Sequence, residues 1–169
     1  MINAGENGRM IPNPTFSWAY SELDRQLTAN APIDAICIML GTNDILNAGR
    51  AGLTPILDRM EALLDHLQTR WPNMKLVLIA PSPIDIPELE HIDLDGTKQP
   101  STNQHGSSIS EMLTSLIASY REIAADRNLY FIETHAWNLP LAYDGVHLSP
   151  KGHQIFAENI ATELHDLFF

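Results

Sequence analysis

Three short apolar runs are the feature of this sequence that most restricts its fold. They occupy residues 33–40, 75–80 and 129–133. Runs of this length and composition favour strands buried on both faces, as in parallel sheets. The segments around them carry apolar residues at helical spacing, and these segments are 15–29, 54–70, 107–125 and 150–167. Strict alternation of helix and strand predicts an α/β protein with a parallel sheet and right-handed crossovers.

Length and composition fit one domain. The chain has 169 residues, which is enough for one domain with a sizeable core but not for two. No repeat, low-complexity tract or linker divides it, so we expect residues 1–169 to form a single domain. Its start has neither the charged nor the apolar region of a signal peptide, which favours a cytoplasmic protein.

The charge balance excludes several kinds of partner. Ten Lys and Arg residues against 21 Asp and Glu give a formal net charge of −11. Such a chain repels phosphate backbones and anionic lipid, so we expect no nucleic-acid partner. No apolar run is long enough to span a bilayer. The single cysteine, Cys37, rules out an intrachain disulfide framework and is expected to lie in the core of its strand.

Chemistry-bearing residues follow the predicted strands, where parallel sheets bind ligands. Asp144 precedes His147 by three residues in a turn, so its carboxylate can reach the imidazole Nδ1 and leave Nε2 as a base. The alternative is an ordinary turn aspartate beside an exposed histidine. Asn43 can aim its amide at a developing oxyanion, and Gly8 can offer an unobstructed N–H. Each of these two is, taken alone, better explained as a turn residue.

Three motifs occur in order at these positions. They are Asn-x-Gly-x-x-Gly at 3–8, Gly-x-Asn-Asp at 41–44 and Asp-x-x-His-Leu-Ser at 144–149. Together they resemble the SGNH (GDSL-type) hydrolase superfamily, which contains esterases, lipases, thioesterases and carbohydrate deacetylases. The surroundings of the first motif and the long segment 84–106 are most similar to its arylesterase-like branch. The resemblance implies a flavodoxin-like, three-layer α/β/α fold.

The resemblance also implies roles for four residues. His147 would be the general base and Asp144 its orienting carboxylate. The Asn43 side chain and the Gly8 backbone N–H would form the oxyanion hole. The reaction would be hydrolysis of a small ester through a serine acyl-enzyme, with no cofactor and no metal.

The nucleophilic serine of that family has no counterpart here. Its Gly-Asp-Ser block is absent from the sequence. Ser82 follows a strand, but the resemblance gives that turn no nucleophilic role, and Ser149 is better explained as a helix N-cap. We therefore expect an N-terminally incomplete domain that lacks the first strand and retains only the tail of the second around residues 1–3. Such a chain would have little esterase activity alone and an unpaired apolar edge near residues 36–40, where self-association is possible.

Other interpretations stay open at this point. The acidic residues and His91 within 85–95 are suitable metal ligands, although a solvated acidic loop explains them better. Trp137 could line an acyl pocket or pack in the core. A binding or assembly module that keeps the hydrolase pocket is the main rival to an enzyme. A flavodoxin-type electron carrier shares the fold class but lacks the phosphate-binding turn.

Overall fold

The computed structural model describes residues 2–48, 52–85, 91–92, 98–99 and 109–168. The strands in these ranges are β1 (Ala35–Ile38), β2 (Lys75–Ile79), β3 (His91–Ile92), β4 (Lys98–Gln99) and β5 (Tyr130–Ile132). The helices are α1 (Ser21–Ala29), α2 (Thr42–Leu46), α3 (Thr54–Arg70), α4 (Ile109–Asp126) and α5 (Pro150–Phe168), with a 3₁₀ turn at His135–Trp137. The predicted alternation of helix and strand is confirmed.

The main sheet is parallel. Its order is β1-β2-β5, with Cys37 opposite Val77 and Ile79 opposite Ile132 in register. Strands β3 and β4 form a separate antiparallel pair. Parallel pairing places the carboxyl ends of β1, β2 and β5 at one edge of the sheet, and the loops that follow these strands therefore share that edge.

The two faces of the main sheet are covered unequally. Leu76 and Leu78 of β2 point into a large cluster with buried residues of α1, α2, α3 and α4. Val77 and Ile79 point to the opposite face, where the buried cluster contains only these two and Ile132. Helix α5 packs there through half-buried side chains, and its one buried residue is Gly152.

Cys37 is exposed, so the prediction of a core position was wrong. It lies beside Val77 on the α5 face of the sheet. Within the described ranges β1 pairs with β2 alone, and the small cluster under α5 does not extend over Cys37. The expectation that β1 has an unpaired edge agrees with this arrangement.

Three local expectations also differ from the structure. The first helix begins at Ser21 rather than near residue 15, and 14–20 form turns. Thr54 is the first helical residue of α3, which has no side-chain cap, so Thr54 is not an N-cap. Residues 2–6 form no strand, although a strand tail was expected there. For residues 2–6 the reason is that β1 pairs with β2 alone among the described residues, so no neighbouring strand pairs with this segment.

No helix within the described ranges combines the length and apolar character needed to cross a bilayer.

Candidate active site

The Asp144–His147 turn joins β5 to α5. Oδ2 of Asp144 lies 2.7 Å from Nδ1 of His147. Oδ1 of Asp144 accepts hydrogen bonds of 3.0 Å from the backbone N–H groups of Val146 and His147. A carboxylate on Nδ1 favours the tautomer in which Nε2 is the acceptor. Because the His147 side chain is 67% exposed, that nitrogen can accept a proton from a bound group.

Hydrogen bonds keep Asp144 ionised. The pKa of Asp144 is lowered to about 2, first by the N–H groups of Val146 and His147 and then by the His147 side chain. All three interactions favour the charged carboxylate over the neutral acid. Asp144 is therefore an anion at neutral pH.

A network of backbone hydrogen bonds holds this turn in place. The N–H of Ala142 donates to the His147 carbonyl at 2.7 Å, and the N–H of Gly145 donates to the Ala142 carbonyl at 3.1 Å. From the loop after β2, the N–H of Asp85 donates to the Gly145 carbonyl at 2.7 Å. These bonds tie the loops after β2 and β5 to each other.

Ser149 ends the turn by capping α5. Its Oγ accepts a hydrogen bond of 3.1 Å from the N–H of Gly152, which confirms the predicted N-cap. A Cβ on Gly152 would lie 2.2 Å from the Pro140 carbonyl oxygen. Only glycine therefore lets the first turn of α5 approach the loop that leads to Asp144.

Asn43 lies on the short helix α2, directly after β1. Gly41 precedes this helix with φ +124°, a conformation that favours glycine. The Asn43 amide donates a hydrogen bond of 3.1 Å to the carbonyl of Arg9. This contact brings Asn43 next to the segment that contains Gly8.

Gly8 occupies an exposed turn. Its φ is +73°, and the Arg9 N–H donates to the Glu6 carbonyl at 3.3 Å across the turn. The Arg9 side chain forms an ion pair with Glu6. The Gly8 N–H has no hydrogen-bond partner in the described part of the chain.

Asp44 anchors the Gly8 segment to α2, a role that sequence reasoning missed. Its buried carboxylate accepts the Ile11 N–H through both oxygens, at 3.1 and 3.3 Å, and contacts Arg59 Nη2 of α3 at 3.1 Å. Burial raises the pKa of Asp44, while the Ile11 N–H and Arg59 act in the opposite direction. The signal available in the sequence was its place beside Asn43 in the Gly-x-Asn-Asp motif.

The structure thus brings the four candidate residues together as two pairs. Gly8 and Asn43 meet through Arg9, and Asp144 contacts His147 directly. Asn43 lies on α2, which follows β1, and Gly8 lies in a turn that precedes α1. Asp144 and His147 lie on the loop that follows β5. No hydrogen bond between the described residues joins one pair to the other.

Seven serines lie within the described ranges, and Ser17 is an exposed residue of the turns before α1. Ser82 is buried in the turn after β2. Ser21 donates through its hydroxyl to the Trp18 carbonyl at 2.6 Å, and Ser149 caps α5. Ser110, Ser115 and Ser119 belong to α4.

Two further expectations concern the acidic segment 84–106 and Trp137. Most of segment 84–106, with its acidic residues, lies outside the described residues, and no cluster of metal-ligating side chains occurs among those that are described. Trp137 packs edge to face on Phe156 of α5, with ring centroids 5.6 Å apart. This contact corresponds to the packing role, which was one of the two interpretations of Trp137.

The model of the GDSL-like lipase/acylhydrolase family matches residues 2–155. No curated protein matches the chain by sequence.

Several solved structures share the fold. The native aryl esterase of M. smegmatis is 23% identical, with a TM-score of 0.72 over 99% of this chain and 78% of that one. A carbohydrate acetylesterase from Sinorhizobium meliloti is 22% identical, with a TM-score of 0.70 over 95% and 75%. A GDSL-like lipase from Bacteroides thetaiotaomicron is 15% identical, with a TM-score of 0.66 over 95% and 73%. These similarities show a common α/β architecture.

Proposed function

This chain belongs to the GDSL-like lipase/acylhydrolase family, and from that membership we propose that it carries the base and the oxyanion hole of a serine ester hydrolase. The substrates are small carboxylic or acetyl esters. The observation that carries the proposal is the 2.7 Å contact between Asp144 Oδ2 and His147 Nδ1, which leaves Nε2 of an exposed histidine as acceptor. Neighbours of the same fold include an aryl esterase and a carbohydrate acetylesterase, which supports ester chemistry.

His147 is the general base and then the general acid. Its Nε2 takes the proton of an attacking hydroxyl while the hydroxyl oxygen bonds to the ester carbonyl carbon and the carbonyl electron pair moves onto oxygen. When the intermediate collapses, the bond to the alcohol breaks and Nε2 returns the proton to the leaving oxygen. Asp144 stabilises the imidazolium that exists between these two transfers.

Gly8 and Asn43 stabilise the oxyanion. An amide group has two N–H bonds, and the 3.1 Å contact with the Arg9 carbonyl uses one of them. The other donates to the developing negative charge together with the Gly8 N–H. Each donor of this kind contributes on the order of 3 kcal/mol to the transition state.

The attacking serine is not among residues 1–169 in this proposal. The sequence has no Gly-Asp-Ser block. Of the serines described above, one is buried after β2, one caps α5 and others belong to α4. A chain of this kind retains only the part of catalysis that comes from binding and the oxyanion hole, about 10³–10⁴-fold over water.

A labelling experiment tests the missing nucleophile. The purified 169-residue chain is treated with a fluorophosphonate and, separately, assayed with p-nitrophenyl acetate. We expect no covalent adduct by intact mass and only slow turnover. An adduct on one residue, or fast turnover that His147→Ala abolishes, would show that the chain contains its own nucleophile.

A second assay tests the oxyanion hole by the residual rate. Asn43→Ala is expected to lower the residual hydrolysis of p-nitrophenyl acetate by about 10²-fold, because one donor is lost. Asn30→Ala is the matched control, since the exposed Asn30 amide bonds the Gln26 carbonyl at the end of α1 and no other side chain or carbonyl of the described residues. Equal rates for the two variants would remove Asn43 from the proposed machinery.

A further inference from the structure

A groove of about 550 Å³ adjoins the Asp144–His147 turn. We call it the Tyr143 groove. It is lined by side chains of the loops after β2 and β5, chiefly Pro83, Asp85, His135, Asn138, Leu141 and Tyr143. No part of the mechanism above uses these side chains.

Tyr143 has an unusually open position. Its side chain is 98% exposed, whereas the other exposed large hydrophobic residues in the described ranges keep 36–67%. It occupies the corner of the hydrogen-bonded turn from Ala142 to Gly145, directly before Asp144. Because that turn is also bonded to His147, the backbone at Tyr143 is held in a constant place relative to Asp144 and His147.

Polar side chains line the same groove as Tyr143. Asp85, His135 and Asn138 are all exposed and belong to three different positions along the groove. A carboxylate, an imidazole and a carboxamide together offer both donors and acceptors of hydrogen bonds. Leu139, which is buried, and the half-buried Leu141 and Pro83 form the apolar part of the lining.

An aromatic ring together with polar side chains determines which alcohol part of an ester the groove can bind. A flat aromatic face covers the C–H face of a sugar ring, and the polar groups around it can bond the hydroxyls at the ring edge. A long acyl or alkyl chain needs an enclosed apolar pocket. The described residues form an open groove in which polar side chains adjoin the apolar ones. An anionic sugar is disfavoured by Asp85 and by the net charge of −11.

We propose that the Tyr143 groove binds the sugar part of a neutral carbohydrate ester, an inference that rests on the proposed ester hydrolase function. The sugar ring stacks on Tyr143, and its hydroxyls bond Asn138, His135 and Asp85. The N–H of Asp85 is bonded to the Gly145 carbonyl at 2.7 Å, so both walls of the groove are fixed to the turn that holds Asp144. Gly145 of that turn lines the groove, so the alcohol side of the ester lies beside the Asp144–His147 turn.

Binding is measured without any hydrolysis. The ¹⁵N-labelled 169-residue chain is titrated with xylotetraose as neutral sugar, trigalacturonate as anionic sugar and hexanol as apolar alcohol. We expect xylotetraose alone to shift the amide signals of residues 135, 138 and 143–145. Tyr143→Ala is expected to weaken this binding at least about fivefold, because an aromatic anchor is lost, while Tyr143→Phe retains it.

The control is Tyr130→Ala. Tyr130 is also exposed, but it begins β5 at the opposite end of the sheet, so its removal is expected to leave xylotetraose binding unchanged. The proposal is overturned if xylotetraose does not shift the groove signals, if trigalacturonate or hexanol shifts them equally, or if Tyr143→Ala binds as tightly as the original chain. None of these results depends on the Asn43→Ala rate, so failure of the groove and failure of the esterase proposal are distinguishable.

Discussion

Asp144 makes three hydrogen bonds within a single short turn. His147 follows it three positions later, and this spacing lets one carboxylate bond two backbone N–H groups and the imidazole together. The contact is local, so the sequence pattern was sufficient to predict it. What the spacing did not show is that Asp85 and Ala142 hold the turn through backbone bonds.

Asp144 is expected to titrate far below an ordinary aspartate. Its pKa is lowered to about 2, so its interactions stabilise the fold above pH 3.9, the usual aspartate value, and are lost as the pH falls through about 2. A ¹³C carboxyl titration measures the midpoint directly, with Asp144→Asn to assign the signal. Asp44, whose pKa burial raises, serves as the contrast, and a midpoint for Asp144 at or above 3.9 would contradict the hydrogen-bond geometry.

Helix α2 illustrates the scale of the element. It has five residues and carries both Asn43 and Asp44, yet it did not emerge from the periodicity of the sequence. A helix this short has too few residues to show an amphipathic pattern. Its start depends on Gly41, which allows the chain to turn sharply after β1.

Gly41→Ala is expected to lower the free energy of unfolding by about 2 kcal/mol or more, because strain and overpacking add. A Cβ there would lie 2.7 Å from Leu116 Cδ2 and 3.1 Å from the Tyr120 hydroxyl. Gly52→Ala is the matched control: its φ is +69°, but nothing lies within 4 Å of the added Cβ, so only about 1 kcal/mol of backbone strain is expected. Urea unfolding of both variants gives the comparison, and equal losses would contradict the role of close packing at Gly41.

The two faces of the main sheet differ in how many apolar residues they bury. We call the face covered by α3 and α4 the thick face and the face covered by α5 the thin face. Helices α3 and α4 bury five and six residues, whereas α5, with 19 residues, buries only Gly152. Exposed Cys37 lies on the thin face. The stabilising apolar burial is therefore concentrated on one side of the sheet.

Hydrogen exchange is expected to follow this asymmetry. Amides of α5 should exchange faster than those of α3 and α4, because a helix with little buried apolar surface opens at lower free energy. Exchange is measured by mass spectrometry and corrected for intrinsic rates. Because α3, α4 and α5 have similar lengths, their protection can be compared directly. Equal protection of α5 and α3 would show that the thin face is as stable as the thick one.

The sequence by itself determined the alternation of helices and strands, the cap at Ser149 and the contact of Asp144 with His147. These features depend on local spacing, which a linear pattern records. Only the tertiary structure decided that Cys37 is exposed, that Asn43 bonds the Arg9 carbonyl and that Asp44 joins the Ile11 N–H to Arg59. Burial and long-range hydrogen bonds depend on which elements cover which face, and apolar runs such as 33–40 do not contain that information.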